Sequence, residues 1–127
     1  MDSRIRALYK IQPQPGAPAQ ARRIIAEELS SRLSDGMLAD IKLMVSELVA
    51  SGVMHGSREP DDAVVLDVLV NGEVRCRVLD HGTGFANRVA QARWRGWGLR
   101  VVEQLSDRWG MQCTSDRTEV WFERQCA

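Results

Sequence analysis

Three groups of residues in this chain could do chemistry. Glu47, Ser51 and His55 recur at i, i+4 and i+8, which on a helix sets them along one face. A glutamate held that way can act as a general base, and a histidine at the end of the row can contact phosphate or cap the helix. A solvated helix face closed by a histidine that the helix dipole favours fits the same spacing. The second group is Asp80, followed by Gly82 and Gly84. A carboxylate turned toward the core is costly without a partner, and a heterocyclic base with an exocyclic amine would supply one. The glycines would let backbone approach the ring; an Asp-His-Gly turn that only ends a strand fits equally. The third group, Gly96-Trp97-Gly98-Leu99, opens a helix whose free N–H groups and dipole suit a phosphate. A loop-to-helix junction needs no ligand to explain it, so each group alone leaves both readings open.

Positioning these groups takes a definite set of elements. Leu8-Tyr9-Lys10-Ile11 alternates as a short strand, and Pro13, Pro15 and Pro18 punctuate a turn after it. Ala19 to Leu33 is rich in helix formers, with Ala21, Ile24, Ile25 and Leu29 at helical spacing and the arginines outward. Ser34-Asp35-Gly36 stops that helix, and Ser34 or Asp35 can cap the next. The second helix runs from about Met37 to Met54 on a stripe of Leu38, Ile41, Val45, Leu48 and Gly52. It carries Glu47 and Ser51.

Two strands follow. Val64, Leu66, Val68 and Val70 alternate with Val65, Asp67 and Leu69, and Asn71-Gly72 marks a two-residue hairpin turn. On the return, Val74, Cys76, Val78 and Asp80 share one side, while Arg75 and Arg77 take the other. A third helix carries Leu99, Val102 and Leu105, and Trp109–Cys113 and Glu119–Phe122 read as a closing pair of strands. The order predicts an α/β (α+β) two-layer sandwich, a mixed, mostly antiparallel sheet with helices on one face.

Composition limits the function classes. With 127 residues and 44% hydrophobic content the chain reads as one domain over 1–127 with one core. Lysine plus arginine equals aspartate plus glutamate at 17 each, which argues against direct nucleic-acid binding. No apolar run approaches a membrane span and the N-terminus lacks a signal-peptide core, so a cytoplasmic protein without membrane contact is expected. Cys76, Cys113 and Cys126 are too widely spaced for a CxxC pair and read as two small apolar residues and an exposed one.

Taken in order, the motifs resemble those of the GHKL (Bergerat-fold) ATPases, in the form of the anti-sigma-factor serine kinases. Ser46–Gly56 is similar to the N-box helix, Leu79–Phe85 to the D-x-G-x-G-F loop, and Gly96–Val102 to the G-x-G-L helix start. Asp107–Gly110 and Thr118–Phe122 look like the closing segments of that family. The resemblance runs from about residue 8 to 123 and implies the Bergerat fold.

The resemblance further implies that Glu47 is the general base that activates an attacking hydroxyl. It implies that Asp80 binds the adenine amino group with Gly82 and Gly84 beside the ring, and that Gly96, Gly98 and Leu99 wrap the phosphates. The implied cofactors are ATP and Mg2+, and the implied activity is phosphorylation of a serine on an anti-anti-sigma (STAS) protein, or sequestration of a sigma factor, by a homodimer. The chain departs from the family at Ser51, where the family carries the asparagine whose oxygen helps hold magnesium, and at Gly52, where alanine is frequent. A serine hydroxyl is a shorter and weaker ligand for a hard cation. Two functions therefore follow: an active kinase, or a module that binds a regulatory protein without chemistry. Arg22, Arg23 and Arg32 are candidates for a partner surface or for a solvated helix face, and Trp94 and Trp97 for an interface or for packing over the cleft.

Overall fold

The computed structural model describes residues 4–55, 62–81, 97–114 and 117–126. The chain forms β1 (Ile5–Ile11), α1 (Ala17–Leu29), α2 (Asp35–His55), β2 (Val64–Val70), β3 (Glu73–Asp80), α3 (Trp97–Leu105), β4 (Arg108–Cys113) and β5 (Thr118–Gln125). The strands make one sheet in the order β1-β2-β3-β5-β4, and every pairing in it is antiparallel. The helices lie on one face, with α2 packed against α1, α3, β2 and β3.

Period-two alternation builds the face beneath the helices. Across the sheet, Tyr9, Leu66, Val78 and Val120 are direct partners, and so are Ala7, Val68, Cys76 and Phe122. Leu66, Val68, Cys76 and Phe122 are wholly buried there. Burial of a side chain the size of Phe122 contributes roughly 1.5–3 kcal/mol. From above, α2 presents Met37, Ile41, Met44, Val45, Leu48 and Val49, all buried. A 21-residue helix is about 32 Å long, so α2 can carry a site along its length.

Several boundaries differ from the sequence reading for identifiable reasons. β1 begins at Ile5 rather than Leu8. It is an edge strand whose open face carries Arg6, Leu8 and Lys10, so its first half lacks a visible apolar pattern. α1 starts at Ala17 because Pro18 lies in its first turn, where a missing N–H costs nothing. It ends at Leu29, before Leu33. Ser34 caps α2, its Oγ accepting from the Met37 N–H at 3.2 Å.

Two residues, Asn71 and Gly72, lie between β2 and β3, as the sequence reading expects. Val70 pairs with Val74, and only Gly72 takes a positive φ, +73°. Asn71 keeps a negative φ, so the loop is of the kind in which one glycine supplies the left-handed residue.

Arg124 on β5 fixes the third helix. Its Nη1 donates to Asp40 Oδ2 on α2 and to the Leu105 carbonyl that ends α3, both at 2.9 Å. A cation on the last carbonyls of a helix is favoured by unsatisfied acceptors and by the dipole. No helix among the described residues is long and apolar enough to cross a membrane.

Candidate functional site

The site is built where α2, the end of β3 and the start of α3 meet. Alternation along β3 delivers Asp80 to the core side, and it is buried, with 5% of its surface exposed. Directly beneath it on α2 is Gly52: a Cβ built there would stand 3.4 Å from both Cβ and Oδ2 of Asp80 and 3.5 Å from a Val64 methyl. The carboxylate thus lies against bare helix backbone, a close approach that a glycine leaves clear.

Glu47 stands on the same helix, five residues earlier, which is about 7.5 Å along its axis. It is half-buried and faces the first turn of α3. A Cβ at Gly98 would meet the Glu47 carbonyl oxygen at 3.7 Å and its carboxylate Oε2 at 3.9 Å. A carboxylate and the amide end of a helix therefore share one corner. That corner can bind an anion on the free N–H groups and place a base beside it.

Ser51 lies between these two points. Its Oγ is buried and has no hydrogen-bond partner among the described residues. The structure gives no group of three His, Cys, Asp or Glu side chains among the described residues that could cage a metal. Ser51 Oγ is a side-chain oxygen that would help hold a magnesium ion here, directly or through water, with phosphate and solvent as further ligands, as is common for magnesium. The residues present fit a nucleotide with its metal on those terms.

Leu99 is placed differently from the other candidates. It is 5% exposed and belongs to the core. Gly82, Gly84, Gly96 and Trp94 lie outside the described residues, as do the side chains of His55 and Trp97. Arg22, Arg23 and Arg32 are all exposed. Cys76 is buried, which raises its thiol pKa, and Cys126 is exposed.

The structure adds one residue that spacing did not offer. Thr118 is the cross-strand partner of Asp80 and is 1% exposed. A buried hydroxyl directly opposite a buried carboxylate makes a polar pair at the floor of the site. The signal was absent because β3 and β5 are far apart in sequence.

Residues 11–124 match the family model of the histidine kinase-like ATPase domain. The anti-sigma F factor of Anoxybacillus flavithermus (strain DSM 21510 / WK1) is 31% identical, over 55% of this chain and 56% of that protein. The chain therefore spans about half the length of this curated relative. The crystal structure of the RsbU and RsbW domains of Rv1364c from Mycobacterium tuberculosis superposes with a TM-score of 0.77 at 21% identity. It covers 95% of this chain and 32% of that one, and so supports the fold. With a sheet, three helices and a site corner in this arrangement, and a family match over nearly its full length, the chain belongs to the histidine kinase-like ATPase domain family.

Proposed function

We propose that this protein is an ATP-binding serine kinase of the anti-sigma type, which regulates a sigma factor through partner switching with an anti-anti-sigma (STAS) protein. The observation that carries the reading is the alignment along α2: Asp80 against Gly52 at one end, Glu47 against Gly98 at the other. Their separation, about 7.5 Å along the helix, suits a ligand with a base at one end and phosphates at the other. Asp80 accepts a hydrogen bond from the exocyclic amine of the base. The first-turn amides of α3 receive phosphate oxygens. Glu47 takes the proton of the attacking serine hydroxyl as the serine oxygen bonds the γ-phosphorus of ATP and ADP leaves. Magnesium, when bound, neutralises charge on the phosphates. The name of the Anoxybacillus relative, an anti-sigma F factor, supports the choice of partner class. The protein works in the cytoplasm as a homodimer.

Ser51 favours a second reading, a module that binds its regulatory partner without transferring phosphate. Its short hydroxyl is a weak anchor for the metal on which transfer depends.

Calorimetric titration with ATP, first with magnesium and then with EDTA, separates the two. The kinase reading requires magnesium-dependent binding and transfer of phosphate to a serine of the partner, abolished by Glu47→Gln while ATP still binds. Magnesium-independent binding without transfer supports the second reading. Absence of ATP binding overturns the kinase reading and leaves the partner-binding module, for which weak or no ATP binding is expected.

A further inference from the structure

The face of the sheet opposite the helices carries an ordered array of charge. Asp67 on β2 points to that face yet is only 4% exposed. Arg77 on the adjacent strand holds one of its oxygens, donating from Nε at 3.0 Å and Nη2 at 2.7 Å to Oδ2, while its Nη1 reaches Glu119 at 2.7 Å. Arg6 from β1 approaches the same Oδ2 at 3.5 Å. Arg75 lies over Trp121, 4.9 Å from the ring centroid.

Two buried polar atoms in this array have no hydrogen-bond partner among the described residues: Asp67 Oδ1, an acceptor, and Arg75 Nε, a donor. Both residues line one cleft of about 230 Å³, completed by Arg6, Leu69 and Arg77. A bridging water needs only roughly 10–15 Å³, so the cleft is much too large to be explained by one. Its lining sets three guanidinium groups against one carboxylate, with Glu119 offsetting part of Arg77 and Arg108 taking Glu123 at 2.8 Å. A simple anion would suit the arginines but leave the Oδ1 acceptor unmet beside it. A simple cation would meet Oδ1 but face the arginines.

We propose that this cleft is a binding site for a small zwitterion, a free α-amino acid, whose carboxylate accepts from Arg75 Nε and Arg6 and whose ammonium donates to Asp67 Oδ1. Arg77 positions the carboxylate of Asp67 by engaging Oδ2, which leaves Oδ1 for the ligand. The site lies on the opposite face of the sheet from Asp80 and stands independently of the nucleotide reading.

The test uses the full chain labelled with nitrogen-15, in which arginine Nε–H groups give resolved signals. Each protein amino acid is added in turn at millimolar concentration, with acetate and methylammonium as half-ligands. At least one amino acid is expected to shift the Arg75 Nε–H signal saturably, where neither half-ligand does. Asp67→Asn and Arg75→Lys should each weaken that binding by about tenfold or more, because each removes a charge-assisted bond. If Asp67→Asn does not fold, Arg75→Lys and the wild-type comparison still decide. No shift with any amino acid, an equal shift with acetate alone, or unchanged binding by the folded variants would overturn the proposal.

Discussion

The carboxylate of Glu47 and the backbone of Gly98 are neighbours across the α2–α3 contact: a Cβ at Gly98 would stand 3.6 Å from Glu47 Cβ and 3.9 Å from Oε2. Both distances are ordinary van der Waals contact, so the fold accommodates alanine at this position. The first turn of α3 gains from it, since alanine exceeds glycine in helix propensity by about 1 kcal/mol. A phosphate seated on the same amides, however, meets the added methyl beside Glu47. Gly98→Ala is therefore expected to raise the melting temperature while lowering ATP affinity. Calorimetry and thermal unfolding on one preparation check this. A variant that gains stability and binds ATP as tightly as the wild type would remove Gly98 from the site.

Gly52 gives a graded version of the same experiment. A Cβ placed on it would lie 3.4 Å from Asp80 Oδ2, at the inner edge of ordinary contact. Gly52→Ala should fit with little displacement and stabilise the long helix by up to about 1 kcal/mol. Gly52→Val adds methyls toward Asp80 and Val64, where overpacking costs about 1–3 kcal/mol, and should displace the carboxylate. Denaturant midpoints should move in opposite directions for the two variants, and ATP binding should fail in the valine variant first.

Much of this geometry was legible in residue order. Alternation through Val74, Cys76 and Val78 alone puts Asp80 on the core side, and helical spacing puts Glu47 and Ser51 on one helix. Cross-strand facts were not legible. Nothing in spacing joins Thr118 to Asp80, and nothing shows that arginines from two strands would cover Asp67 on an open face. The Asn71-Gly72 pair correctly marks the hairpin, but whether Asn71 also takes a positive φ is a choice that register settles and composition does not. Leu99 was legible as a core residue from its helical spacing with Val102 and Leu105, and its side chain packs the core.

Gly110 and Trp121 are direct partners on β4 and β5, and the indole lies flat over the glycine. A Cβ at Gly110 would come within 2.6 Å of Trp121 Cζ2 and 2.7 Å of Nε1, closer than atoms can approach. Gly110→Ala must push the ring aside and disturb its contact with Arg75, at an expected cost of about 1–3 kcal/mol. In a Trp121→Ala background the same substitution should cost much less. A double-mutant cycle by urea unfolding measures the coupling, and additive costs would show that the ring is not the obstacle.

Tyr9 offers a pH test of how β1 is held to α1. Its phenol donates to Glu28 Oε1, and that hydrogen bond, with burial and the charges of Glu28 and Glu27, raises its pKa from 10.0 to about 12. The neutral phenol is the form the fold favours. The contact therefore contributes its full stability below pH 10, the unfolded value, and loses it as pH rises through about 12. Tyr9 is the only tyrosine in the chain, so phenolate absorbance reports this group alone. The titration midpoint should lie well above that of the unfolded chain, and Glu28→Ala should bring it back toward 10. In parallel, the stability difference between wild type and Tyr9→Phe should shrink across the same pH window. A midpoint near 10 in the folded wild type would mean that Glu28 does not hold the phenol, and that β1 is secured by its pairing with β2 and its apolar face alone.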